Sequence, residues 1–296
     1  MASEFTSRFL TVKSESWIKG RNENGGEAFA TYLLTRLQSR RMLLAIDVGN
    51  TNITLGLWDN HVWRKQWRLR TVHDQTVDEY GVYIKALLRE AKAAHQVRAT
   101  VLSSVVPPLT STFSKVCCDY LGQEPLLIDA DTNTGIEVKT DTPAEVGADR
   151  IVNAAAAFHL YPGNSIVIDM GTATTFDAIS ANGELLGVAI APGLGLAAEA
   201  LSNRAAQLGR VALEAPPNSI GRNTVHAMQS GLIFGYASLI DGMVSRFKME
   251  MGAPDANVIG TGGLITSIIP HTGVINIVEP WLTLIGLREI YRLNTE

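Results

Sequence analysis

Cysteine is almost absent from this chain. Only Cys117 and Cys118 occur, and they are adjacent. Neighbouring cysteines cannot staple distant segments, and their spacing suits no metal site. A disulfide scaffold is thereby excluded, and a reducing cytosol fits best. Two buried thiols on a helix are the expected role. Long apolar runs are also missing. None reaches the roughly 18 residues that cross a bilayer, and the candidate 231–240 stops at Asp241. A basic excess is missing too: the net charge is −4, which argues against nucleic acid as the main partner. What remains, 46% hydrophobic and 18% charged residues in a chain of 296, suits a globular protein with core enough for about two domains.

The first 41 residues differ from the rest. They carry seven Lys/Arg against four Glu and no Asp, a net of +3. Targeting segments are basic and Ser-rich, but this stretch lacks an apolar central region and has too many Glu for a good transit peptide. An upstream extension, natural or from a misplaced start codon, is expected over 1–41, poorly structured or helical over 27–40. Met42 is where the fold is expected to begin.

Two stretches carry the chemistry. Asp47-Val48-Gly49-Asn50-Thr51-Asn52 follows the apolar run 42–46 and leads into 53–58. A cousin, Asp169-Met170-Gly171-Thr172-Ala173-Thr174-Thr175, follows the apolar run 165–168. Each reads as strand, acidic turn, strand. Glycine lets backbone amides approach a phosphate, consecutive amides make an anion-binding concavity, and Thr51 and Thr54 add hydroxyls. Asp47 cannot face phosphate bare, so it reads as holding a cation, directly or through water. One such hairpin alone is better taken as an ordinary Asp-x-Gly-Asn turn. Two, each after a buried-looking strand, favour a grip on one polyphosphate from both sides.

The hairpins sit in a duplicated pattern. After the first come a strand at 61–70 and a helix opened by the capping box Thr76-x-x-Glu79, with Tyr80, Ile84, Leu87, Leu88 and Ala91 on one face. A strand at 99–106 ends at Pro107-Pro108. A helix over 110–121 and a strand at 125–128 complete a β-β-β-α-β-α-β order, which predicts a mixed sheet flanked by helices. The second half repeats it, with strands at 165–169, 174–179 and 184–191 and helices over 193–206 and 225–250. A strand at 257–260, a short strand at 275–277 and a helix over 280–293 follow. Duplication of this kind predicts two α/β domains, 42–163 and 164–296, with a small-molecule cleft between them. In the long helix, Val225, Met228, Leu232, Leu239, Ile240, Met243 and Phe247 make an apolar face. Gly231, Gly235 and Gly242 leave gaps where another helix can pack, although packing within the subunit satisfies the same pattern.

With the late Gly260-Thr-Gly-Gly263, the two hairpins resemble the actin, Hsp70 and sugar-kinase superfamily, where they are phosphate hairpins and an adenosine loop. The implied fold is α/β, two duplicated ribonuclease H-like domains of the actin-like ATPase superfamily. Pro143-Ala144-Glu145-Val146-Gly147-Ala148-Asp149-Arg150-Ile151-Val152-Asn153-Ala154 narrows this, being similar to the signature of type III pantothenate kinases. So are Gly221-Arg222-Asn223-Thr224, Trp67-Arg68-Leu69-Arg70-Thr71 with Asp78-Glu79-Tyr80, and Ser103-Ser104-Val105-Val106-Pro107. The resemblance runs from 42 to about 293.

That resemblance implies transfer of the γ-phosphoryl group of ATP to the primary hydroxyl of pantothenate, the first step of coenzyme A biosynthesis, in the cytoplasm. An alcohol is a poor nucleophile, and a carboxylate within hydrogen-bond reach can take its proton. The resemblance makes Asp149 that base. An ordinary charged pair at a helix start is the plainer account of Asp149–Arg150, and spacing alone does not separate the two. By resemblance, Gly147, Ala148, Asp149 and Arg150 line the pantothenate site, with Arg150 orienting substrate or meeting negative charge. Thr224 reaches it from a second subunit, which implies a homodimer; an N-cap threonine is the plainer alternative. ATP falls to Asp47, Val48, Gly49, Asn50, Thr51, Asn52, Ile53, Thr54, Thr172, Gly260, Gly262 and Gly263. Asp169 is assigned a monovalent cation, K⁺ or NH₄⁺, and Asp47 the Mg²⁺ carried by the nucleotide. Neither nucleic acid nor membrane is implied as a partner. The pattern departs at Thr140, where the family usually has tyrosine. Threonine keeps a hydroxyl but loses the ring, which leaves open a kinase for another small alcohol or carboxylate. Members of the family have also been described as accessory factors in transcription, so a non-catalytic regulator is a further alternative. Asp149 and both hairpin carboxylates are present and no basic DNA-reading segment is, which favours the kinase.

Overall fold

A computed structural model of the chain describes residues 42–204 and 209–295. The 1–41 extension, with its expected helix, lies outside them. The chain divides into Met1–Arg41 and Met42–Glu296, and the described residues all belong to the second unit.

The first sheet grows around β1 (Met42–Val48), a run buried on both faces as a central strand must be. It pairs antiparallel with β2 (Asn52–Trp58), which pairs antiparallel with β3 (Trp63–Arg70). On its other side β1 pairs parallel with β4 (Val97–Ser104), and β4 with the short β5 (Leu126–Leu127). Between β3 and β4 runs α1 (Val77–Glu90), started by the expected capping box of Thr76 and Glu79. After β4 comes α2 (Pro107–Val116), which continues into one wider π-turn, Cys117–Leu121. The helix begins at Pro107 rather than 110 because proline needs no amide partner in a first turn. Cys117 is buried and Cys118 exposed, both as free thiols.

The second sheet repeats this order. β7 (Ser165–Met170) pairs antiparallel with β8 (Ala173–Ile179), β8 with β9 (Glu184–Pro192), and β7 parallel with β10 (Asn257–Thr261), which pairs with β11 (Ile277–Val278). One strand has no counterpart: β6 (Glu137–Val138), two residues that no periodicity marks, adds to the outer edge of β9. The helices are α3 (Ala148–Leu160), α4 (Leu194–Arg204), α5 (Thr224–Glu250), the single turn α6 (Ile265–Ile268) and α7 (Leu282–Thr295).

The packing makes five layers. Leu44, Ile46, Ile53 and Leu55 meet Tyr80, Ile84 and Phe113 of α1 and α2. The opposite face of that sheet, through Leu43, Ala45 and Val101, meets Val152 and Ala155 of α3 and Leu284 and Leu287 of α7. The same two helices also cover the second sheet, through Ala154, Ala156, Ala157 and Leu282 against Val167, Ile179 and Ile259. Helices α4, α5 and α6 close its far side. A run of four alanines keeps α3 thin enough to be shared by two sheets. Where α7 crosses it, a Cβ on Gly286 would overlap the Val152 carbonyl oxygen. Gly286→Ala should therefore force the two helices apart and lower stability by about 1–3 kcal/mol, read as a fall in thermal midpoint.

Candidate active site

Both hairpins are present, and their tips face one another. In the first, Asp47 stands in register with Thr54, and the Gly49 amide donates to the Asn52 carbonyl at 3.0 Å. In the second, Asp169 stands in register with Thr175, and the Gly171 amide donates to the Ala173 carbonyl at 3.0 Å. The Thr172 hydroxyl donates to that of Thr51 at 2.7 Å, linking the two turns. Thr71, from the end of β3, braces the first turn: its hydroxyl donates to the Gly49 carbonyl at 2.6 Å and its amide to the Thr51 carbonyl at 2.9 Å.

The N-terminus of α3 points a guanidinium into this region. Gly147 is the N-cap and Asp149 lies in the first turn, where its Oδ1 accepts from the Arg150 amide at 2.9 Å, a favoured place for an anion. Arg150 then reaches three carboxylates. Its Nη2 donates to Asp149 Oδ2 at 3.0 Å and to Asp169 Oδ2 at 2.7 Å, and its Nη1 to Asp177 Oδ2 at 3.2 Å. Nη1 also donates to the Thr175 hydroxyl. One helical turn on, the Asn153 amide nitrogen donates to Asp169 Oδ2 at 3.4 Å, while its oxygen accepts from the Thr283 hydroxyl of α7 at 2.8 Å. The three acids differ in access: the Asp177 side chain is fully covered, that of Asp169 is 19% exposed and that of Asp149 30%.

One guanidinium cannot neutralise this many carboxylates. Burial pushes the Asp177 carboxyl up to about 7; Arg150 opposes the rise, while Asp169 and Asp149 add to it. Its second oxygen, Oδ1, is buried without a hydrogen bond. Asp47 keeps some surface access, yet protein atoms crowd its carboxyl and burial pushes it up to about 7, with Asp149 the next cause. The nearby Ser103 hydroxyl eases that rise, although it makes no hydrogen bond in this conformation. Burial alone would weaken the Arg150 cation, but Asp177, Asp169 and Asp149 hold it protonated. A positive charge beside Asp47 would restore its ordinary ionisation, so this carboxylate fits a nucleotide-borne cation. Among the described residues no three His, Cys, Asp or Glu side chains gather as metal ligands. A divalent ion here would therefore take most of its ligands from phosphate and water, as Mg²⁺ does with nucleotides.

The other expected residues fall into distinct places. Val48 and Ile53 are buried in the first core, so only their backbone faces the hairpin. Gly49 lies in the turn, and Asn50, Thr51, Asn52 and Thr172 are exposed at the tips. A Cβ on Gly260 would press on Ile265 and Ile275. Gly262, at φ +92, has its missing Cβ position 2.6 Å from Asp169 Oδ1, so a side chain there would be both strained and blocked. Thr140 follows β6 and buries a hydroxyl that has no partner. Thr224 is exposed at the first position of α5, and the cap is Asn223, whose Oδ1 accepts from the His226 amide at 2.8 Å. The plainer account of Thr224 as an N-cap is thereby corrected. Asp177, Thr175 and Asn153 were not anticipated. Asp177 did carry a signal: a lone acid inside the apolar strand 173–179 has to be paired.

Residues 43–246 match the family model described as type III pantothenate kinase. A type III pantothenate kinase of Exiguobacterium sibiricum is 48% identical over 254 residues, covering 86% of this chain and 100% of that one. Among solved structures, a conserved Campylobacter jejuni protein assigned to the Baf family of transcriptional activators aligns with TM-score 0.56 at 18% identity, over 85% of this chain and 98% of its own. A Sinorhizobium meliloti protein assigned as a 2-dehydro-3-deoxygalactonokinase aligns with TM-score 0.54 at 12% identity, over 85% and 96%. At these identities the two structures show the fold alone: two mixed sheets flanked by helices, of the actin-like and sugar-kinase kind.

The electrostatics yield a stability test. An unfolded aspartate titrates near 3.8 and Asp47 in the fold near 7, so folding takes up a proton between those values. This contribution is full below about pH 4 and is lost as pH rises to about 7. Asp47→Asn should match the wild type near pH 4 and exceed it above pH 7 by on the order of 1 kcal/mol or more, measured by denaturant unfolding at both pH values.

Proposed function

The chain belongs to the type III pantothenate kinase family, whose reaction is ATP-dependent phosphorylation of pantothenate in coenzyme A biosynthesis, and we propose that the two hairpins and the start of α3 carry that reaction. The observation that carries this is the graded access of the three acids on Arg150. Asp177 and Asp169 lie deeper, while Asp149 keeps the largest open surface. Asp149 is the carboxylate a substrate can reach, and Arg150 fixes both its oxygens, Oδ2 through Nη2 and Oδ1 through the backbone amide. We assign it the proton of the pantothenate hydroxyl as the new P–O bond forms. Gly147, Ala148 and Arg150 line the acceptor site beside it, and the unpartnered hydroxyl of Thr140 offers one further hydrogen bond where the family usually has a ring.

In this account the lobes 42–163 and 164–296 each bring one hairpin, and ATP lies between Gly49–Thr51 and Gly171–Thr172, with Gly262 and Gly263 on the nucleoside side. Mg²⁺ bound to the nucleotide would lower the charge of the transferring phosphates, and Asp47 is the residue that would hold it. Asp169 has one oxygen committed to Arg150 and Asn153, which leaves Oδ1 for a K⁺ or NH₄⁺ ion. A homodimer accounts for exposed Thr224 and for the outer face of α5, where Cβ atoms built on Gly231, Gly235 and Gly242 would meet open space. Among the described residues no helix is long and apolar enough to cross a membrane, and we place the enzyme in the cytoplasm. Thr140 supports a second reading, a different small alcohol as acceptor, which a substrate panel separates.

Purified protein with MgATP, KCl and pantothenate should form 4′-phosphopantothenate; absence of product while ATP still binds rejects the assignment. Asp149→Asn should cut turnover by about 10²–10⁴-fold with nucleotide binding and thermal midpoint retained, and a wild-type rate would remove Asp149 as the base. Replacing K⁺ by Na⁺ should lower turnover, and an unchanged rate would remove the monovalent site at Asp169.

A further inference from the structure

β3 carries an arginine that no step above uses. Arg68 stands in register with Thr54, Thr54 with Asp47, and Asp47 with Ser103 of β4. Residues in register across neighbouring strands share one face of a sheet. Arg68, Thr54, Asp47 and Ser103 therefore form one row, on the face that turns Asp47 toward α3. From the end of that row the Arg68 side chain reaches the second lobe. Its Nη1 lies 3.1 Å from where a Cβ on Gly263 would stand, in the same glycine turn whose Gly262 abuts Asp169.

The duplication shows that the fold does not require arginine there. The equivalent row of the second sheet is Thr261, Asp169, Thr175 and Ile190, so the counterpart of Arg68 is an isoleucine, 70% exposed. Charge balance makes the same point. Arg150 is held by three carboxylates, whereas Arg68 has no carboxylate partner among the described residues. Asp47, Asp149, Asp169 and Asp177 outnumber Arg150, and a polyanion entering among them needs cationic partners besides its metal ion. A guanidinium fork suits phosphate oxygens.

We propose that Arg68 is a polyphosphate-binding residue of the nucleotide site, its guanidinium set between the first hairpin's row and the turn at Gly263. The proposal rests on the kinase reading. Calorimetric titration of wild type, Arg68→Gln and Arg68→Lys with MgATP and with adenosine tests it, alongside KM for each substrate. The expected result for Arg68→Gln is an MgATP affinity at least about tenfold weaker, with adenosine affinity and the KM for pantothenate held; Arg68→Lys should show a smaller loss of the same selectivity. Equal losses for adenosine and MgATP would make Arg68 a mere strut between the lobes and overturn the proposal, as would MgATP affinity within about twofold of wild type. If Arg68→Gln does not fold, the Arg68→Lys titration decides by the same criteria. A wild type that binds adenosine and MgATP alike, or neither, fails the kinase reading as well; a wild type that prefers MgATP beside an unaltered variant fails this proposal alone.

Discussion

The site depends on one guanidinium placed among three carboxylates. A charge taken out of water is costly unless its partners stay fixed, and Arg150 is fixed from every side. Asp149 comes from its own helix, Asp169 from the end of β7, and Thr175 and Asp177 from β8. The shared cation ties the start of α3 to the second hairpin, and the Thr51–Thr172 hydroxyl contact ties that hairpin to the first. Removing Arg150 would leave three carboxylates facing one another in a poorly solvated pocket. Burial, with the excess of acid over base, raises the pKa of Asp47 and of Asp177.

Much of this was legible in the chain, for identifiable reasons. The hairpins could be read because a tight turn that exposes backbone amides needs glycine and small polar residues in a fixed order, and the order occurs twice. The capping box at Thr76 and Glu79 could be read because it is local. The parts that escaped are not local. The strand Glu137–Val138 exists only because the edge of β9 is there to receive it. The place of α3 between two sheets shows in sequence only as four alanines. Asp177 lies eight residues beyond Asp169, and nothing in strand periodicity says that both converge on one arginine of a different element. Thr224 looked like a cap by residue type, but the neighbouring Asn223 has the geometry.

The duplicated halves have diverged where their tasks differ. Asp47 and Asp169 occupy equivalent positions at strand ends, each opposite a threonine. Yet Asp169 is tied to a cation of the protein itself, while Asp47 has only a hydroxyl beside it and sits at an elevated pKa. In this chain Asp169 has an arginine of the protein as its partner, whereas Asp47 has no ion pair among the described residues.

Helix α7 has a consequence for how the protein is made. It is the last of the described elements, and it covers the inner face of β1, the first described strand, through Leu284 and Leu287. Domains tend to fold from the N-terminus as they leave the ribosome, but this one cannot close its opening sheet until α7 emerges. Until then Leu43, Ala45 and Val101 have only Val152 and Ala155 of α3 to cover them. A premature stop that removed only α7 would therefore spoil the half of the molecule made first, and the burden on chaperones would fall on the beginning of the chain.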